Sequence, residues 1–215
     1  MDNDKTEKKS VGKEIFEWVY SILIAVIIAF LIKSFLFDVV KVDGKSMYPT
    51  LEHNDRLIVG KLGYDPKQGD IIILDANYNN REIYFDNLAA AEGKDELSGF
   101  EKFTKVFSMP QDCKRVYYVK RIIATEGQTV DLIEGKVYVD GAELDEPYYD
   151  GLTFPIDSKV EFPFTVSEDC VFVMGDNRGN STDSRSSRLG EVDEDAILGK
   201  ASLRVFPFNS IGVMK

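Results

Sequence analysis

The chain has 215 residues, 44% hydrophobic and 29% charged. That is enough for one globular domain of ordinary size beside an apolar segment, and too apolar for a disordered chain. A formal net charge of -11 argues against a nucleic-acid binder, which needs Lys and Arg to neutralise phosphates, and reads as a solvated acidic surface.

Residues 1–14 form a polar tail carrying Lys5, Lys8, Lys9 and Lys13. From Trp18 to Ile32 the chain is apolar all round and uncharged. Counted to Phe37, the run makes about 20 residues and about 30 Å of helix, one bilayer core. The expectation is a transmembrane helix over 15–37, with Trp18 and Tyr20 at one interface and Lys33 snorkelling to the other. The lysines ahead of it place the N-terminus in the cytoplasm and 38–215 outside the cell membrane. Leu36 and Phe37 are too large for a small-x-small cleavage site, so the span is expected to stay uncut.

Beyond it the sequence reads as mainly β, an antiparallel sheet or barrel-like domain. Phe37–Val42, Arg56–Val59, Asp70–Leu74 and Tyr117–Ile123 are short runs of aliphatic and aromatic residues. Thr129–Val139 is a hairpin with Glu134-Gly135 at the turn, and Asp140-Gly141 marks the next turn. Cys170–Met174 and Ala201–Phe206 supply later strands. Residues 76–114 are polar, with a helix-like stretch near Asn87–Glu96, and read as an inserted loop. Glu143–Thr165 carries three prolines and reads as irregular.

Cys113 and Cys170 lack the C-x-x-C spacing of a zinc or thioredoxin site, so no metal and no cofactor is expected, and whether they pair is open. The single histidine, His53, lies in the polar stretch Glu52-His53-Asn54-Asp55. A hydrolase here uses that residue or manages without histidine.

Three stretches carry chemistry. In Gly44-Lys45-Ser46-Met47-Tyr48-Pro49-Thr50-Leu51 a serine follows a strand, and the glycine permits a turn that exposes a hydroxyl and aims backbone N–H groups. In Tyr118-Val119-Lys120-Arg121-Ile122-Ile123 a lysine sits inside an apolar strand, sharing a face with Tyr118 and Ile122, while Val119 and Arg121 share the other. If the first face is inward, desolvation disfavours the ammonium and makes Lys120 a general base. Taken alone, a strand lysine more commonly faces water. The third stretch, Gly175-Asp176-Asn177-Arg178 through Ser181, Asp183, Ser184 and Arg185, is a dense polar loop that an Asp183–Arg185 pair would stiffen.

These boxes, with Gly69-Asp70-Ile71-Ile72 and Gly199-Lys200-Ala201, stand in order behind one apolar span and resemble the conserved boxes of bacterial type I signal peptidases. The resemblance runs from the span to about Phe206. It implies Ser46 as nucleophile and Lys120 as general base, Ser181 hydrogen-bonded to the lysine amine, and Asp183 and Arg185 supporting the site. It implies a β-fold that binds signal peptides of secreted preproteins as an added strand, with shallow pockets for an Ala-x-Ala site. By position Val40, Val42, Met47, Leu57 and Val119 would line them. Membrane lipid is the other expected partner.

Two departures from the family pattern stand out. Gly44 occupies the position where some relatives place an oxyanion-hole hydroxyl, leaving the Ser46 backbone N–H. Ile123-Ala124-Thr125-Glu126-Gly127 replaces a Pro-Gly turn. Two rivals are a soluble self-cleaving repressor-type protease and a non-catalytic, peptidase-derived membrane scaffold for pilus or surface-protein assembly. The apolar span and the acidity oppose the first, and the presence of both Ser46 and Lys120 opposes the second.

Overall fold

The structure, a computed structural model, describes residues 11–214, with the backbone alone for residues 11 and 31–35. Helix α1 (Val11–Phe35) leads directly into strand β1 (Phe37–Lys41). Ile15, Trp18, Ile22, Val26 and Phe30 are all exposed along α1. Among the described residues no helix is long and apolar enough to cross a membrane. The expected span over 15–37 includes residues 31–35, whose side chains, Lys33 among them, lie outside the described residues, as do Lys5, Lys8 and Lys9.

The body is mainly antiparallel β, as expected. After β1 come β2 (Arg56–Gly60), β3 (Ile71–Asp75), β4 (Tyr117–Thr125), β5 (Thr129–Ile133), β6 (Lys136–Val139) and β7 (Ala142–Glu143). There follow β8 (Phe164–Thr165), β9 (Cys170–Met174), β10 (Val192–Asp193), β11 (Ile197–Phe206) and β12 (Gly212–Val213). One sheet has the order β1-β2-β11-β3-β4-β9-β10, with β12 paired to β11, and the other the order β7-β6-β5-β8. The β5–β6 hairpin turns at Glu134-Gly135, both at positive φ (50° and 80°), the geometry that matches the right-handed strand twist.

The centre of the larger sheet is covered on both faces. Ile71 and Ile73 pack with Val42, Met47, Leu51, Leu57 and Val59, while Ile72 and Leu74 pack with Ile122, Val171 and Val173. A strand buried on both faces shows a continuous apolar run rather than alternation, which is why Ile71-Ile72-Ile73-Leu74 reads as it does. Ile123, Phe172 and Met174 carry the contact to the smaller sheet through Val130, Val137 and Val139. Strand β11 begins at Ile197, four residues ahead of the expected Ala201. Its register shifts at three places against its neighbours, and such bulges break the alternation by which a strand is recognised.

The expected loop over 76–114 is instead largely helical. Helix α2 (Tyr78–Ala91) starts nine residues before the expected Asn87 and stops ahead of Gly93, which sits at φ +67°. Helix α3 (Gly99–Lys105) opens with a capping box between Ser98 and Glu101. The buried stripe of α2 is only Arg81, Phe85 and Ala89, at four-residue spacing. One of the three is charged, so the apolar period is too thin to be seen in sequence. Phe85, Ala89, Leu97, Met109 and Cys113 form a small core of their own. Cys113 and Cys170 are both free, which answers the open question of a bridge between them.

Candidate active site

The turn after β1 is held at both ends. Val42 N–H donates to the Asp55 carbonyl at 2.8 Å and Asn54 N–H to the Val42 carbonyl at 2.9 Å. Gly44 sits at φ +95°, a conformation glycine adopts without strain. Met47 and Leu51 are buried in the core and pin the chain just past Ser46, which is itself half-buried. The polar loop after β9 grips the same turn. Asn177 N–H donates to the Ser46 carbonyl at 2.9 Å, and Asn177 Nδ2 to the Lys45 carbonyl at 3.0 Å.

Lys120 reaches this turn from β4. Its Nζ lies 3.0 Å from Ser46 Oγ and 3.1 Å from the Val119 carbonyl oxygen. The side chain is 3% exposed. Burial pushes its amine down to about 8; Asp183 pulls it back up, Arg185 pushes it further down, and Asp176 raises it. Both faces of β4 are covered here, so Arg121, expected on the opposite face, is buried as well.

Asp183 and Arg185 are paired and buried, with Arg185 Nε and Nη2 each donating to the carboxylate at 2.9 Å. Asp183 also accepts from Gly175 N–H at 3.0 Å, and Arg185 Nη2 donates to the Arg178 carbonyl. The pair thus ties the loop that carries Asn177 and Ser181. Ser181 differs from expectation. Its buried Oγ has no hydrogen-bond partner among the described residues, so the bond to the lysine amine is absent. It lies instead against Gly175, where a Cβ would fall on both Ser181 Oγ and the Ser46 carbonyl oxygen.

The five residues expected to line substrate pockets belong to one cluster, which includes Met47, the residue after Ser46. Val42, Met47 and Leu57 are buried outright, at 4%, 1% and 0% exposure, so they form a floor; only Val40 and Val119 are partly open. Gly44 N–H donates to His53 Nδ1 at 3.3 Å, and the same nitrogen lies 3.1 Å from Asp43 Oδ1. His53 therefore contacts the turn's backbone and not the Ser46 hydroxyl. A cleft of about 770 Å³ lies between the insertion and the sheet; Ser46 and Lys120 do not line it.

Several contributors stood in the sequence boxes without a role, or outside them. Arg121 binds Asp176 bidentately at 2.9 and 2.8 Å, stacks over the Tyr148 ring at 3.9 Å, and donates to the Gly69 carbonyl. Thr50 Oγ1 donates to the same Asp176 carboxylate. Arg178 is paired with Glu146 and donates to Thr153 Oγ1 at 2.7 Å. Arg121 was signalled by lying beside Lys120 in an apolar strand. Glu146 and Tyr148, in the proline-rich connection, carried no local signal.

A family model described as signal peptidase, peptidase S26, matches residues 15–206. The chain belongs to this family. Signal peptidase I of Bacillus licheniformis is 36% identical, covering 96% of this chain and 97% of its own. Signal peptidase I T of Bacillus subtilis is 33% identical, covering 98% and 94%. The solved structure of a signal peptidase I from Enterococcus faecalis is 20% identical over 65% of this chain and 98% of its own, at a TM-score of 0.39, too loose a superposition to bear on the fold. Membership makes the chain a serine endopeptidase of the signal peptidase I kind.

Proposed function

We propose that this signal peptidase is anchored in the cell membrane by residues 15–37. Its extracytoplasmic domain, on this reading, cuts N-terminal signal peptides from exported preproteins by a Ser46/Lys120 dyad. The observation that carries the reading is the 3.0 Å approach of a buried, low-pKa amine to a half-buried hydroxyl. In its neutral form Lys120 accepts the Ser46 proton as Oγ attacks the scissile carbonyl. The tetrahedral oxyanion forms beside the Ser46 backbone N–H. Collapse breaks the C–N bond, and the lysine ammonium returns its proton to the leaving amine. Lys120 then deprotonates a water that attacks the acyl-enzyme, releasing the signal peptide and restoring Ser46.

Substrate would enter as a strand along β1, which is paired on one side only, by β2. Side chains before the cut would meet the partly open Val40 and Val119 over the floor of Val42, Met47 and Leu57. Asp183, Arg185 and Gly44 act here by holding the dyad's surroundings, and Ser181 by packing against Gly175.

The dyad sets a pH profile. Only the neutral amine can take the proton, so kcat/KM for a preprotein should rise roughly tenfold per pH unit below the Lys120 pKa of about 8 and level off above it. A profile flat from about pH 6 to 9 would show that the proton goes to another group. A second expectation concerns Gly175. Its replacement by Ala would push on the Ser46 carbonyl and Ser181, and cleavage should fall by about a hundredfold, since small displacements of a reacting group cost that much. Unchanged kcat in Gly175→Ala would mean the turn is not held as described.

A further inference from the structure

Four register pairs align Phe37, Gly60, Lys200, Ile72 and Lys120 in one row across β1, β2, β11, β3 and β4. Every neighbouring pair is antiparallel, so β1, β11 and β4 run one way and β2 and β3 the other. Phe37 opens β1, so α1 joins the sheet at the end beneath this row. Strand β3 runs from Ile72 toward that same end and leaves at Asp75, and β4 returns from it at Tyr117. Three residues of strand are about 10 Å. The helical insertion therefore hangs from the end of the sheet at which α1 enters.

The insertion presents an aromatic face there. Phe100, Phe103 and Phe107 are 76%, 63% and 82% exposed. Spacings of three and four put them on one side of α3 and the turn that follows, and the Phe103 and Phe107 rings meet edge to face at 5.9 Å. Together they leave on the order of 400 Å² of ring surface uncovered, a large patch for a domain this size. The lysines of α3 do not share that face freely. Lys102 lies over the Phe85 ring of α2 and pairs with Glu96 at 3.0 Å and Glu82 at 3.6 Å, and Lys105 pairs with Glu92 at 3.3 Å. What α3 exposes on this side is aromatic, and both of its lysines are paired.

We propose that Phe100, Phe103 and Phe107 form a second membrane contact, lying in the headgroup region beside the exit of α1. The occupant is a lipid surface, because the face lies at the end of the sheet at which α1 enters; Phe103 borders the cleft between the insertion and the sheet, while Phe100 and Phe107 lie outside it. This rests on reading residues 15–37 as the span. Two points of attachment fix the rotation of the sheet about the anchor, which a single helix leaves free. With the lysines already paired, attachment is by apolar burial and does not require anionic lipid.

Trp18 is the only tryptophan, which permits a direct test. The full-length chain is placed in vesicles of phosphatidylcholine carrying bromine on the acyl chains near the headgroup. In the W18F/F103W variant the indole fluorescence should fall about twofold relative to unbrominated vesicles and should be insensitive to salt. W18F/F107W gives the same readout if the first variant does not fold. Absence of quenching overturns the proposal, whether the emission is that of an indole in water or of one covered by a second copy or another protein. The unsubstituted chain separates the two readings. If Trp18 is quenched and the indole at position 103 is not, only the second contact fails; if Trp18 is also unquenched, the span fails and takes this proposal with it.

Discussion

Ser46→Ala should lower preprotein cleavage by about 10⁴-fold or more, and Lys120→Met by a similar factor. The double variant should be no worse than either single one if the two groups, 3.0 Å apart, act as a unit in the proposed dyad. Effects that multiply would place the two groups in separate steps and dispose of the dyad. Unfolding does not explain such a loss. The Lys120 pKa falls from 10.5 to about 8 on folding, so at neutral pH both states are protonated and the desolvation penalty on the ammonium is fully present. It fades as pH rises from about 8 to 10.5, where the unfolded chain binds more protons than the folded one. Replacing the amine by the apolar Met side chain removes that penalty. Lys120→Met should therefore melt no lower than the parent at pH 7, and a clear drop in melting temperature would mean the lysine is structural.

Asp183→Ala should destabilise the domain by about 3–5 kcal/mol, the usual consequence of leaving one member of a buried ion pair alone. Arg185 would stay buried without its bidentate acceptor, and the Gly175 N–H would lose its partner. Asp183 also raises the Lys120 pKa, so its loss should move the rising limb of the pH profile to lower pH. Denaturant unfolding and the pH profile together check this. A loss below about 1 kcal/mol with an unmoved profile would reduce the pair to a bystander. Replacing both partners, Asp183→Ala with Arg185→Met, should recover part of the stability but not the activity, because no charge is left buried while the loop loses its tie.

The turn at Ser46 and the apolar strand around Lys120 were legible, but local pattern alone favoured a lysine facing water, and only the ordered set of boxes singled out Ser46 and Lys120. The lysine's state was not legible. An alternating pattern predicts one wet face, and from Lys120 to Ala124 β4 has none, because packed side chains cover it on both sides. Ser181 shows the reverse failing. Its box is present and its hydroxyl is buried beside the site, yet it makes no bond, since a motif specifies neighbourhood and leaves hydrogen-bond geometry to packing. Val42, Met47 and Leu57, expected to line the pockets, are buried in the core, because position along the chain does not record which side chains the sheet covers.

What the sequence determined by itself is the set of local facts: a long apolar stretch, short strands bounded by glycine turns, one serine and one lysine in settings that suit them. These follow from periodicity and turn chemistry, which act over a few residues. Tertiary structure alone decided how far the lysine is removed from water, which of Arg121, Glu146 and Tyr148 gather near it, and that residues 78–105 fold into helices on one end of the sheet. Those depend on contacts between residues tens of positions apart, and no local pattern records which distant side chain will arrive to exclude solvent or complete an ion pair.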